Sequence, residues 1–176
     1  PDLQGRMGFY YASHAGEKAE VAEAINEQYL PRYAGDALPA TSDGQALSIA
    51  DRLDTLAGIF ALGKRPSGSK DPFALRRLAL GLVRILIEAQ IDINLIDAIE
   101  QALRLQPVDA KPETAGELYE FIIDRLKAYY LDGLNPSFRN ITISPEQFEA
   151  VRQRTPAAPL DFHQRLKAVV EFSALE

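Results

Sequence analysis

Along almost the whole chain the apolar residues recur at three- and four-residue spacing, and no convincing run alternates apolar with polar. A spacing near 3.6 lines residues up on one face of a helix, whereas a half-buried strand needs a period of two. The chain therefore has to bury its apolar surface by packing helix on helix, and the fold class is all-α, a helical bundle. With 176 residues, 47% of them apolar, the material suffices for a sizeable core in one domain or two small helical ones. No run of 18 uncharged apolar residues occurs, so no membrane-spanning helix is expected. The absence of cysteine removes disulfide scaffolds, a cysteine nucleophile, thiolate zinc sites and iron–sulfur clusters. The start at Pro1, without Met or a basic-then-apolar leader, reads as a fragment of a longer, cytoplasmic protein.

The periodicity predicts helices over residues 3–12, 18–29, 45–62, 72–90, 93–105, 115–131, 145–152 and 160–175. Pro31, Gly35 and Pro39 break the second from the third, and 63–71 is a loop. Asp71 is placed to cap the fourth helix, with Pro72 at its first position. Asn94 is placed to cap the fifth. Residues 106–112 read as a linker, which divides the chain into 1–105 and a helical continuation, 106–176. Residues 133–140 form a Gly/Asn/Pro-rich break, and 140–143 is an extended candidate.

The net charge of −6 speaks against a generic nucleic-acid binder, but the average hides a contrast. Between residues 61 and 90 stand six basic and two acidic residues, a basic island in an acidic chain. An anion that docks on this chain should dock there. The loop from Gly63 to Asp71 carries Gly68, Ser69 and Lys70 in a spacing near that of a nucleotide P-loop. The order Ser-Lys is reversed from what phosphate and Mg²⁺ require, and no strand precedes it, so that reading fails. A cationic loop beside a helix start remains, with Lys64, Arg65 and Lys70 as phosphate contacts, in competition with an ordinary solvated loop. On the fourth helix Arg77, Gly81, Arg84 and Glu88 form one polar stripe, which adds Arg77 and Arg84 to the candidates. Arg84 and Glu88 are spaced for an ion pair, and Gly81 leaves room for a backbone or ligand to approach.

On the third helix Ile49, Ala50, Leu53, Ala57, Phe60 and Ala61 form an apolar arc, with Asp54 at its edge and Asp51 further out. A carboxylate beside a core must be paired or metal-bound. Asp54 is expected to be structural, mostly buried and bonded to Arg76, another arginine or a backbone N–H. The alternative is a metal ligand or general base. His14 and His163 are the chain's two histidines, in no metal-binding spacing, so neither a metal site nor a catalytic residue is assigned. Tyr10, Tyr11, Tyr29, Tyr33, Tyr129 and Tyr130 are expected to pack in the core and at its edges, away from the basic island.

Several longer runs are specific. Asp2-Leu-Gln-Gly-Arg-Met-Gly8 with Tyr11-Ala12, Ile49-Ala-Asp-Arg-Leu-Asp-Thr-Leu56, Gly63-Lys-Arg-Pro-Ser-Gly-Ser-Lys-Asp-Pro-Phe-Ala-Leu-Arg-Arg77 and Ala79-Leu-Gly-Leu-Val-Arg-Ile85 resemble the beta subunit of bacterial tetrameric glycyl-tRNA synthetases. The likeness covers about residues 1–105 and continues more loosely through Pro159-Leu-Asp-Phe-His-Gln-Arg-Leu-Lys-Ala-Val-Val170. Ser67 stands where the family often has Thr, and Arg52 where it often has Lys. The resemblance implies an internal piece of a longer subunit that binds or positions tRNA(Gly). Glycine and ATP with Mg would be handled by the class II active site of the alpha subunit, and this stretch would hold no cofactor and be inactive alone. It also implies an HD-like helical bundle in the first part, with Asp54 at the last acidic position of the HD pattern and the upstream His and His-Asp positions before Pro1. A metal-dependent HD-type phosphohydrolase and a purely structural scaffold for subunit assembly are the alternatives.

Overall fold

The computed structural model describes residues 3–139 and 141–173. Pro1, Asp2, Asn140 and residues 174–176 lie outside the described residues. With them fall the start of the first family-like run, one end of the 140–143 candidate and the tail of the last helix. Eight α-helices follow one another among the described residues: α1 Arg6–His14, α2 Ala19–Glu27, α3 Ser42–Ala61, α4 Leu75–Glu88, α5 Leu95–Arg104, α6 Thr114–Leu131, α7 Pro145–Arg152 and α8 Pro159–Ser173. A single 3₁₀ turn, Pro136–Phe138, sits between α6 and α7. No strand forms among the described residues, and 141–143 is irregular.

Local chemistry sets several helix starts. Thr41 Oγ1 accepts from Gly44 N at α3, Asn94 Oδ1 from Ile96 N and Asp97 N at α5, and Ser144 with Gln147 closes a capping box at α7. The α4 start differs from expectation. Ala74 adopts the left-handed conformation at φ 55°, so Pro72 and Phe73 belong to a turn and the helix begins at Leu75. Asp71 still caps it, from further back, through its side chain.

Helix α3 is the hub, packing on α2, α4, α5 and α6, while α4 also meets α6 and α8. The continuous core runs from Ile49 to Val170, and α4 contributes Leu75, Ala79, Leu82, Val83, Ile85, Leu86 and Ile87 to it. On α3 the arc is rotated from the expected one. Its buried side is Ile49, Leu53, Leu56, Ala57 and Phe60 with Ser48 and Arg52, and Ala50 is exposed. Alanine contributes little area, so the large Leu56 and Phe60 decide which side faces inward. Helices α1 and α2 pair with each other, and α2 is anchored by Glu27, whose buried carboxylate accepts from Ala40 N at 2.8 Å and Thr41 N at 3.1 Å.

At the far end, Tyr130 sits among Phe138, Phe148 and Phe162, with its hydroxyl 2.9 Å from His163 Nδ1. His163 is therefore a half-buried packing residue inside α8. Burial, helped by Lys167, holds its imidazole below the ordinary value. The unfolded chain thus binds this proton more readily than the folded one, and stability falls as pH drops below about 6.5. His163→Gln is expected to flatten the acid limb of a melting-temperature-against-pH curve; an unchanged slope would assign that limb to other groups.

Candidate functional site

The α3–α4 corner is built from its turns. Gly63, at φ +69°, ends α3, and Ser67 and Lys70 exchange backbone hydrogen bonds at 3.1 and 2.9 Å to close a tight loop. The Asp71 carboxylate accepts from Leu75 N at 2.8 Å and Arg76 N at 2.9 Å. Those N–H groups are the ones an anion at this helix start would use, so the corner offers side-chain cations instead.

The five candidate cations have different surroundings. Lys64 is exposed, 5.6 Å from the Phe73 ring centre, and Lys70 is exposed with no ion pair among the described residues. Arg65 lies over Phe60 and pairs with Glu117 on α6, both side chains open to water. Such a surface pair contributes under about 1 kcal/mol and opens easily. Arg77 is exposed on the first turn of α4, with no ion pair among the described residues. Arg84 is buried, 7% exposed, with Nε 2.8 Å from Glu88 Oε1; the Tyr129 hydroxyl donates to that same oxygen at 2.8 Å. Burial and the Glu88 hydrogen bond drive the Tyr129 phenol far above its ordinary range.

The acidic expectations need correction. Asp54 is exposed, and its Oδ1 accepts from Gln106 Nε2 at 2.9 Å. Arg76 donates to the Gly68 carbonyl at 2.7 Å and meets neither aspartate. The rotation of α3 explains both, because Asp54 shares the solvent side with Ala50. Asp54→Ala is accordingly expected to change stability by no more than about 0.5 kcal/mol in a urea titration. Asp51 is half-buried on a different side, where it accepts from Gln28 Nε2 at 3.2 Å. Among the described residues no three His, Asp or Glu side chains come together to hold a metal.

The charged residue that α3 does bury is Arg52, 3% exposed. Its guanidinium donates to the carbonyls of Ser48 at 3.0 Å, Pro31 at 3.0 Å and Gln28 at 3.3 Å, and also bonds Ser48 Oγ. No carboxylate is among these partners. Burial lowers its pKa to about 10, with the nearby Asp51 charge acting the other way. A Cβ on Gly81 would stand 2.7 Å from Arg52 Nε, so the space left by that glycine is filled by Arg52. Sequence reasoning missed this residue because it weighed the carboxylates of α3 and not its arginine. The signal was present: Arg52 lies between Ile59 and Leu56 on the helical wheel.

Arg52 lies on the wall of a cleft of about 620 Å³ that also takes in Tyr29, Arg32, Tyr33, Asp51 and Arg77. The expectation that tyrosines stay away from the basic island therefore fails at Tyr29 and Tyr33, and Tyr10, Tyr11 and Tyr33 are exposed. Arg32 is matched by buried Asp36 at 3.2 Å. Burial acts to raise the Asp36 pKa, but hydrogen bonds from Arg32 and from Ala37 N outweigh it, and the carboxyl lies below its usual range.

Comparison with known proteins agrees with the sequence runs. Residues 1–142 match the family described as glycyl-tRNA synthetase beta subunit. The chain is 46% identical to a glycine–tRNA ligase beta subunit of Pseudomonas aeruginosa over 178 aligned positions, covering 99% of this chain and 25% of that one. It is 47% identical to the corresponding subunit of Chromohalobacter salexigens, covering 100% of the chain and 25% of the relative. For Pseudomonas putida the identity is 49%, with coverage of 99% and 25%. The chain thus spans about a quarter of the length of the curated relatives it matches, and it belongs to the family of glycyl-tRNA synthetase beta subunits.

Proposed function

We propose that this chain is a helical, non-catalytic part of a glycine–tRNA ligase beta subunit that binds or positions tRNA(Gly) for aminoacylation by the alpha subunit. On this reading glycine, ATP and Mg belong to the class II site of the alpha subunit, and the chain alone is inactive. The observation that carries the proposal is the cationic α3–α4 corner of a chain in this family: Lys64, Lys70 and Arg77 are exposed with no ion pair among the described residues. Arg65 joins them when its surface pair with Glu117 opens, whereas Arg84 is held inside the bundle by Glu88 and is no phosphate contact. A contact of this kind reads phosphates, so its contribution is electrostatic and insensitive to base sequence. An HD-type phosphohydrolase has less support, since Asp51 and Asp54 face different surroundings and no metal-holding group forms among the described residues.

The test is the triple change Lys64→Ala, Arg65→Ala, Lys70→Ala in the intact two-subunit enzyme. We expect a raised KM for tRNA, with glycine activation retained. The salt dependence of tRNA binding should become shallower by about 0.7 to 0.9 for every phosphate that the altered loop no longer neutralises. Unchanged tRNA kinetics at low salt would leave a structural scaffold for subunit assembly as the role.

A further inference from the structure

We propose that the cleft between residues 28–36 and the α3–α4 pair holds one unpaired nucleotide of an RNA, with its phosphate on Arg77 and its base against Tyr33. This rests on the tRNA-positioning reading and gives it a location apart from the cationic loop.

A volume of about 620 Å³ is within the range of small-ligand sites. Its wall carries three guanidinium groups, Arg32, Arg52 and Arg77, against one carboxylate, Asp51. Arg32 is already matched by Asp36, and Arg52 is spent on carbonyls. Arg77 is left exposed with no ion pair among the described residues, and its planar fork suits two phosphate oxygens at once. The floor behind it is positive. Arg52 Nε is buried without a protein acceptor among the described residues. Arg84 lines a small adjoining hollow shared with Tyr33, Arg77 and Gly81, but its charge is matched by Glu88. The buried charge of Arg52, which has no carboxylate partner, is poorly screened by salt and favours an anion at the mouth of the cleft.

The second half of the ligand follows from Tyr33. Its side chain is large and 60% exposed beside these cations, which is the pairing a base-stacking platform requires. The segment presenting it is fastened at both ends. Arg52 holds the Pro31 carbonyl, and the Asp36 carboxylate accepts from Arg32 N at 2.8 Å and Ala37 N at 3.0 Å. A ring held by a fastened segment loses little freedom on binding. Asp51, also on the lining, repels phosphate, which favours phosphate toward Arg77 and sugar or base donors toward Asp51.

Single variants of the intact two-subunit enzyme test this. Tyr33→Ala is expected to weaken tRNA binding roughly 5- to 150-fold, the effect of losing one base stack, whereas Tyr33→Phe keeps the ring and the affinity. Arg77→Ala is expected to lower the salt slope by about 0.7 to 0.9, and Arg77→Lys to restore the slope. Both residues are exposed, and thermal melting of each variant establishes that it folds. If tRNA binding is unmoved in Tyr33→Ala and Arg77→Ala while the loop triple raises the KM, the cleft proposal falls and the tRNA reading stands. If neither set has an effect, both fall. Titration with AMP and GMP separates the sources: a mononucleotide that binds the cleft and is not displaced by tRNA would overturn the RNA assignment.

Discussion

Arg52→Ala is expected to lower folding stability by about 3 kcal/mol, read as a fall in the urea midpoint at unchanged slope. The sign follows from two opposing magnitudes. Holding a guanidinium inside the bundle with no carboxylate partner is costly. A pKa depressed to about 10 by burial corresponds to roughly 3 kcal/mol against the charged form. Against this stand charge-assisted hydrogen bonds to the carbonyls of Ser48, Pro31 and Gln28, each contributing about 1.5 to 3 kcal/mol. Their sum exceeds the penalty, and truncation would also leave those carbonyls without their donor and open a void beside Gly81. Arg52→Lys is the informative second variant. One ammonium cannot span carbonyls from both α3 and the 28–31 segment in the same fork, so it should recover only part of the loss. Wild-type stability in Arg52→Ala would mean that the 28–31 segment is held to α3 by packing and by its other hydrogen bonds, Gln28 to Asp51 and Ser48 Oγ to the Leu30 carbonyl.

The second large effect is expected at Glu88. Glu88→Ala removes the carboxylate that serves both Arg84 and Tyr129, leaving a guanidinium that is 7% exposed and a fully buried phenol without their acceptor. Breaking one side of a buried ion pair costs about 3 to 5 kcal/mol, because the surviving charge stays desolvated. Glu88→Gln keeps an oxygen for the Tyr129 hydroxyl and loses only the charge, so it should fall between wild type and Glu88→Ala. The double change Glu88→Ala with Arg84→Met separates repulsive burial from lost attraction. If the orphaned charge dominates, the double variant is more stable than Glu88→Ala alone. Equal stability of the two would place the cost in Tyr129 and its packing.

The all-α class was legible because period-3.6 apolar spacing holds through nearly every segment and admits no half-buried strand. A cap was legible where one side chain acts on the next turn, as Asn94 does. The helix 145–152 came out with the expected bounds. Family membership was legible in runs such as Gly63 to Arg77, where residue order itself carries the likeness. The start of α4 was misplaced because a left-handed Ala74 leaves no compositional trace.

What the chain's own order determined, then, is helix content, most helix limits and kinship, all properties of near neighbours along the backbone. The tertiary structure decided which side of each helix faces inward and which distant groups meet. Asp54 was expected inside and stands in water, while Arg52 was passed over and sits in the core, because the turn of α3 about its axis is set by Leu56 and Phe60 packing on other helices. The meeting of Tyr29, Arg32, Tyr33, Asp51 and Arg77 at one cleft depends on the docking of α2 and its following segment onto α3 and α4. Nothing in local spacing encodes that meeting, since it forms between residues more than forty positions apart, such as Tyr33 and Arg77. Burial and long-range hydrogen bonds select among helix faces that are nearly equivalent in the sequence, and that selection exists only once the bundle has closed.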